Sequence, residues 1–375
     1  MVLGVHSRGV DKMIRVGVIG YGYWGPKLLR NLVKTRDCRA MAVADLNPAR
    51  QAAVKRLYPF VDSVTSPSQL LADAEIDAVV IATPISTHYE LAKEALRCGK
   101  HVLIEKPMTV TVAQANELIR LAELNQKVLM VDHTFIYTGA VRKIKEIIES
   151  GELGDVYFYD SVRVNLGLFQ PDFNVLWDLA PHDFSIMAYL IDKEPISVSA
   201  VGAAPVRWNG WKKESVVYIA VEFADGSLAH FHVNWLSPVK VRRTLISGSL
   251  KMIAYDHLDK DYQVKVFDKG VQASNDADRY QALVQYRMGD MLVPKIDQTE
   301  ALESLCEDFV QCAQTGNRPL TDGYNGLRVV QLLEAAQRSL EQRKKVMLSG
   351  RGESVILPRN GISDDGQLQV TQTLL

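Results

Sequence analysis

Apolar positions change their period once along this chain, and the change divides it into two regions. Ile14 to Ile19 is a β-rich run that ends on glycine, and Leu28, Leu29, Leu32 and Val33 then recur at helical spacing. Arg39 to Ala44 is strand-like and ends at Asp45; Pro48 opens a helix through Leu57, with Asn47 as its N-cap. Ile76 to Ile81 is a continuous apolar run of the kind buried on both faces of a parallel sheet. Ser86 or Thr87 is expected to cap the next helix, which Gly99 stops. His101 to Ile104 and Val128 to Val131 predict strands flanking a helix over Val112 to Leu124. This alternation predicts a doubly wound parallel sheet.

After a helical stretch at Val141 to Ile148, strands dominate: 156–165, 196–205, 215–223, 228–235, 241–247 and 251–255. Helical periodicity returns only at Glu300–Gln314 and Tyr324–Lys344. A strand-rich segment with few crossover helices predicts a large, mostly antiparallel open sheet with helices on one face. The aromatic group Trp208, Trp211 and Tyr218 reads as packing on that sheet.

Length and composition agree with this division. A chain of 375 residues is long for one core and fits about two domains. With 43 basic and 44 acidic residues, no global field draws it to nucleic acid or an anionic membrane. The basic clusters Lys143/Lys145 and Arg343-Lys344-Lys345 read as solvated helix faces. Cys38, Cys98, Cys306 and Cys312 are scattered, with no neighbouring histidine at zinc-ligand spacing, so idle thiols and no metal are expected. No run approaches the roughly 18 apolar residues of a membrane span, and no secretory signal is visible. A soluble, cytoplasmic protein is the expectation.

The first candidate chemistry is Gly20-Tyr21-Gly22-Tyr23-Trp24-Gly25. A lone GxGxxG is a weak signal, but this one follows a strand directly and opens a helix. Gly20 serves the tight turn, Gly22 admits the pyrophosphate, and Gly25 lets helix and strand pack closely. Asp45, 25 residues after Gly20, suits the adenosine ribose hydroxyls and repels a 2′-phosphate, which favours NAD over NADP. Arg50 is expected either to face solvent or to approach a phosphate. The reading is therefore an α/β chain: a flexible leader (1–12), a Rossmann NAD(P)-binding domain (13–132), an α/β substrate and oligomerisation domain (133–350) and a tail (351–375).

Three further blocks follow in order. Ala82-Thr83-Pro84 and Thr87-His88 come after the run at 76–81; Glu105-Lys106-Pro107 comes after the strand at 101–104; and Trp177-Asp178-Leu179-Ala180-Pro181-His182-Asp183 carries a D-x-x-x-H pattern. In this order and spacing the chain resembles the Gfo/Idh/MocA family of glucose–fructose oxidoreductase-like and inositol dehydrogenase-like enzymes, from Ile14 to about Met347. The resemblance implies a second domain whose open sheet forms a homodimer or homotetramer interface, and a cis Lys106–Pro107 bond. It also implies that Thr83, Pro84, His88, Glu105 and Lys106 join Tyr23 and Trp24 of the glycine loop around the cofactor, and that Lys106 and His182 share acid–base work. The segment from Arg163 through Asp183, with Tyr286–Met291 and Glu300–Leu302, is most similar to the branch that oxidises nucleotide-linked sugars. An inositol or free-sugar dehydrogenase, an NAD-dependent glycoside hydrolase and a non-catalytic NAD-binding regulator are the rivals.

Oxidising a secondary alcohol needs a hydride acceptor and a base near the hydroxyl, a task that suits histidine. His182 lies four residues after Asp178, so on a helix Asp178 is placed to orient the imidazole. Pro181 is tolerated in a first turn, which puts the expected helix start near Leu179. The residues alone equally allow Asp178 as a helix cap and His182 as a packed core histidine. Lys106 is able to donate to the reacting oxygen and to lower the histidine pKa through its charge. Glu105 either meets the cofactor ribose or anchors Lys106. Tyr137, Arg163, Asn165 and Trp177 flank the site in sequence and either line a substrate pocket or pack in the core or on the surface; His133 stands likewise.

Overall fold

A computed structural model describes residues 13–167, 169, 172–206, 212–273 and 284–348. The expected leader and tail, with Trp208 and Trp211, lie outside the described residues.

The first region alternates strand and helix because its strands are apolar on both faces. In chain order it runs β1 (Ile14–Ile19), α1 (Gly25–Lys34), β2 (Cys38–Ala44), α2 (Pro48–Leu57), β3 (Asp62–Val64), α3 (Pro67–Ala72), β4 (Ala78–Ile81), α4 (Ile85–Arg97), β5 (His101–Glu105), α5 (Val112–Leu124) and β6 (Leu129–Asp132). The order across the sheet is β3-β2-β1-β4-β5-β6, all parallel. Because the order reverses between β1 and β4, a crevice opens at their carboxyl ends, where Gly20 and Ala82 emerge. Asn47 caps α2 as expected, accepting from Ala49 N at 2.9 Å. The cap expected at Ser86 or Thr87 falls instead on Pro84, and Thr87 Oγ1 donates to Thr83 Oγ1 and the Pro84 carbonyl. A fixed proline φ preorganises that entry without a side-chain cap.

A short 3-10 helix (Thr134–Tyr137) and α6 (Gly139–Glu149) lead into the second region. There follow β7 (Val156–Leu166), α7 (Val175–Leu190), β8 (Pro195–Ala203), β9 (Val216–Phe223), β10 (Leu228–Asn234), β11 (Leu236–Gly248), β12 (Met252–Asp256), β13 (Val264–Ala273) and β14 (Val284–Leu292). The described residues close with α8 (Ala301–Thr315), α9 (Gly323–Gln342) and β15 (Val346–Met347). Nine strands form one sheet in the order β14-β13-β12-β11-β7-β10-β9-β8-β15, antiparallel except for the β7/β10 pair. The inward residues of β9, Val217, Ile219, Val221 and Phe223, pack with α7 and α9 in one core.

Helix α7 departs from expectation. It starts at Val175, with Asn174 Oδ1 accepting from Trp177 N at 3.4 Å, and Pro181 sits in its interior rather than its first turn. An interior proline costs about 3 kcal/mol. Burial of Val175, Leu176, Ala180, Phe184, Ile186, Met187 and Leu190 against the sheet offsets that cost.

The two sheets share more than a linker. Helix α8 packs Leu302, Leu305, Phe309 and Val310 into the core beneath β1. Thr321, just before α9, receives a hydrogen bond from Val131 N at 2.8 Å and returns one from its Oγ1 to Val131 O at 2.7 Å. The cleft between the sheets is therefore braced from behind by α8 and α9.

Candidate active site

The glycine loop has the shape of a phosphate cradle. Gly20 has φ +96°, and a Cβ there would lie 2.6 Å from the Ala82 carbonyl oxygen. A Cβ on Gly25 would lie 2.1 Å from the Gly20 carbonyl oxygen. At Gly22 the nearest atom to an added Cβ is the Arg50 guanidinium, 3.9 Å away, so the space above it is open. Asp45 fastens this loop: its Oδ2 accepts from Tyr21 N at 2.7 Å and its Oδ1 from Asn47 N at 2.8 Å. Arg50 lies 3.3 Å from the same carboxylate, so it pairs with Asp45 instead of standing free. These residues fit a dinucleotide. Tyr23 is exposed, Trp24 half-buried, and Lys27 Nζ sits 3.8 and 4.0 Å from their ring centroids. Lys27 adds a positive charge at the loop that the glycine pattern does not reveal.

At the carboxyl ends of β4 and β5, His88 is a strut. Its Nδ1 lies 2.9 Å from the Pro107 carbonyl oxygen and its Nε2 2.9 Å from that of Thr83, so the ring spans the two loops and its one N–H donates to one of these carbonyls. Burial pushes its pKa down. Thr83 and Pro84 are thereby fixed at the crevice mouth, and the Lys106–Pro107 bond is cis. Glu105 lies below this turn, with its Oε2 accepting from Lys106 N at 3.3 Å. Burial first, then the charge of its register neighbour Asp132, raises the Glu105 pKa well above the carboxylate range. Glu105 is thus a buried acid beneath Lys106.

Across the cleft, α7 supplies the other wall. Lys106 Nζ donates to the Asp178 carbonyl oxygen at 2.7 Å and lies 3.5 Å from Asp178 Oδ1. Asp178 Oδ2 accepts from Trp235 Nε1 at 3.1 Å. Asp178 therefore holds Lys106, and no hydrogen bond joins it to His182. The expected orienting role fails because Lys106 and Trp235 draw the carboxylate to their side. His182 Nδ1 is buried without a hydrogen-bond partner, and its ring meets the Phe135 ring edge-on at 4.9 Å. Burial, then the charges of Lys106, Arg163 and Arg242, hold its pKa well below the usual value. His133, after β6, is buried with both ring nitrogens unpartnered; burial and the Lys106 charge push it down to about 3.

The four expected substrate residues separate. Arg163 is only 4% exposed and makes a two-point ion pair with Asp183, Nε to Oδ2 at 2.8 Å and Nη2 to Oδ1 at 2.9 Å. Tyr137 lies in the core of the first region, its hydroxyl donating to Asp308 Oδ2 at 2.5 Å, and does not face the cleft. Asn165 is half-buried on β7. Trp177 donates from Nε1 to Gln337 at 3.3 Å and lines an open groove of about 370 Å³ with Ile85, Asn174 and Lys212. That groove flanks the site; neither Lys106 nor His182 lines it. Phe135, Arg242 and His257 were not legible as site residues, because each comes from a different element and only the fold brings them together. Tyr218 stacks on His232 on the opposite face of the large sheet. Cys38, Cys98, Cys306 and Cys312 are free thiols. Among the described residues, no group of three or more His, Cys, Asp or Glu is placed to hold a metal, and no helix is long and apolar enough to cross a membrane.

A cradle for a dinucleotide at one end of the crevice and a lysine beside a neutral imidazole at the other define a nicotinamide-dependent oxidoreductase. The comparisons with known proteins agree. Residues 14–133 match the oxidoreductase family's NAD-binding Rossmann fold and residues 141–254 match the GFO/IDH/MocA C-terminal domain. The chain belongs to the Gfo/Idh/MocA family of NAD-binding oxidoreductases. It is 36% identical over 181 residues to the uncharacterized oxidoreductase YdgJ of Escherichia coli, covering 45% of this chain and 51% of that protein. It is 25% identical over 350 residues to the myo-inositol 2-dehydrogenase of Thermotoga maritima, covering 89% and 98%. The solved structure of UDP-N-acetylglucosamine 3-dehydrogenase from Acidithiobacillus ferrooxidans superposes with a TM-score of 0.71 at 26% identity, covering 88% of this chain and 98% of that one.

Proposed function

We propose that this enzyme oxidises a secondary hydroxyl of a sugar, the sugar being linked to a nucleotide, and that Lys106, His182 and Asp178 carry the proton chemistry. One observation carries the reading: Lys106 Nζ is held 2.7 Å from the Asp178 carbonyl oxygen, close enough for its charge, after burial, to help hold the His182 pKa down. NAD, held by the Gly20–Gly25 loop and Asp45, supplies the hydride acceptor. The Lys106 ammonium donates to the reacting oxygen and stabilises developing negative charge. His182, kept unprotonated by its surroundings, takes the hydroxyl proton. Asp178 positions Lys106 through its carbonyl and carboxylate, and Glu105 supports the turn from below. Gly20, Gly22, Tyr23, Trp24, Gly25, Asp45, Thr83 and Pro84 line the cofactor's path; His88 and Arg50 brace it. Asp45 favours NAD over NADP because a 2′-phosphate beside it would be repelled.

The nucleotide-linked substrate is supported by the likeness to the UDP-N-acetylglucosamine 3-dehydrogenase, which covers nearly the whole of both chains. An inositol is the second candidate, supported by the likeness to the Thermotoga enzyme. Incubating the protein with NAD and UDP-N-acetylglucosamine, myo-inositol or glucose separates them by the rate of NADH formation. Faster turnover of the inositol would reverse the order.

Because His182 is held below its ordinary pKa of about 6.5, protonation disables the base only in more acid solution. We expect kcat/KM to stay level as pH falls to about 6.5, with the acid limb below it. A limb centred at or above that value would remove His182 as the base.

The outer face of the large sheet supports self-association. Phe158 and Leu228 stand exposed opposite each other on β7 and β10, and Tyr218 and Val201 do so on β9 and β8. Glu222, His230 and Asp160 lie beside and between these two pairs, and exposed apolar pairs set among polar residues fit an isologous contact. Light scattering is expected to give at least a dimer, and Tyr218→Glu to shift the mass toward monomer. A parent protein that is already monomeric excludes this interface.

A further inference from the structure

Among the described residues, the cleft holds a cation, Arg242, with no carboxylate paired directly to it. Lys106 is turned to Asp178 and Arg163 is consumed by Asp183. Arg242, in β11, is half-buried on the cleft side of the sheet while its neighbour Arg243 is exposed on the other. Among the described residues no carboxylate lies within ion-pair distance of Arg242. In the paired strands β7 and β11, Arg242 stands directly opposite Arg163, a like-charge pairing that costs stability unless something compensates it. The pair shares one aromatic ring: the guanidinium of Arg163 is 4.5 Å and that of Arg242 5.9 Å from the Phe135 centroid. The same ring meets His182 and His257, each at 4.9 Å. Arg242 is thus within reach of whatever occupies the space in front of His182.

The neighbouring groups report the same excess of positive charge. His257 is pushed down to about 4 by burial and then by Arg242 and Arg163. Burial and the adjacent Arg163 lower even the Arg242 guanidinium. A half-buried arginine with its planar donor fork unpaired is built to take two oxygens of an anion. We propose that Arg242 is the anion-binding residue of the substrate cleft and that the sugar this enzyme takes carries a carboxylate or phosphate group there. The proposal rests on the sugar dehydrogenase reading for its substrate but not for its test, which also reads binding directly.

Four probes decide it: glucose, glucuronate, a glucose phosphate and UDP-N-acetylglucosamine. Each is titrated by calorimetry into the NADH-saturated protein and assayed with NAD. The parent is expected to bind at least one anionic probe more tightly than glucose, with affinity that falls as salt is added. Tight glucuronate binding would identify a carboxylate subsite, and tight binding of only the two phosphorylated probes a phosphate subsite. Arg242→Gln is expected to weaken the preferred anion about 10- to 100-fold, leaving glucose and NAD affinity unchanged, with Arg242→Lys recovering part of the loss. Arg243→Gln is expected to change nothing. Equal binding of glucose and all three anions by the parent would overturn the proposal even if the variants fail to fold. Loss of NAD affinity in Arg242→Gln would overturn it in favour of a cofactor contact. Absence of NADH formation with every probe, alongside Arg242-dependent anion binding, would leave the subsite standing and sink the dehydrogenase reading alone.

Discussion

Lys106→Ala is expected to bind NAD as tightly as the parent and to lose about 1000-fold in kcat. Lys106 reaches the site from the turn after β5, while the dinucleotide cradle lies at the turn after β1. Its ammonium is held at the Asp178 carbonyl across the cleft and not on the loop that holds the pyrophosphate. Losing it removes both a donor to developing negative charge and one of the cations that, after burial, hold the His182 pKa down. The second effect gives the variant a signature beyond a slower rate. The acid limb of kcat/KM is expected to move to higher pH, because His182 recovers part of its ordinary basicity. Fluorescence titration with NADH and a pH–rate profile check both halves. An activity within a few-fold of the parent would mean Lys106 is not catalytic.

Asp183→Ala is expected to be the most damaging single change to stability, at about 3–5 kcal/mol. Asp183 and Arg163 are each almost wholly buried and joined by two hydrogen bonds. Removing the carboxylate strands a guanidinium whose Nη1 already lacks a partner and which faces Arg242 across the strand pair. The penalty belongs to the stranded charge. Arg163→Met combined with Asp183→Leu is therefore expected to fold better than Asp183→Ala alone. Chemical unfolding followed by tryptophan fluorescence reads both. A loss under about 1 kcal/mol for Asp183→Ala would show that water or Arg242's surroundings already solvate the pair.

The parallel sheet was legible because its strands are continuous apolar runs and its helices carry caps and stops that depend on local chemistry, as at Asn47 and Gly99. β3 and α3 were not, since three and six residues are too few to display a period. β14 escaped for another reason. Strands at the far edge of an open sheet bury little, and Met288, Met291 and Leu292 face outward. The start of α7 was misplaced because a proline penalty is visible in sequence and the packing that outweighs it is not. The site shows the same division. Gly20 and Asp45 announce themselves by spacing and Lys106 and His182 by the family resemblance, whereas the partners of Asp178 and the box around Phe135 exist only once the chain folds. Arg163 shows the limit best. The sequence places it beside the site, but only the fold reveals that Asp183 takes its charge and leaves Arg242 to face the cleft.

The most direct measurement follows purified protein with NAD and a series of UDP-sugars, free sugars and inositols, recording NADH absorbance together with the sugar product. The expected result is NADH accumulating mole for mole with a keto product, in the parent and not in Lys106→Ala. Cleavage of a glycosidic bond with no net NADH would contradict it, and would place the same residues in a transient oxidation instead.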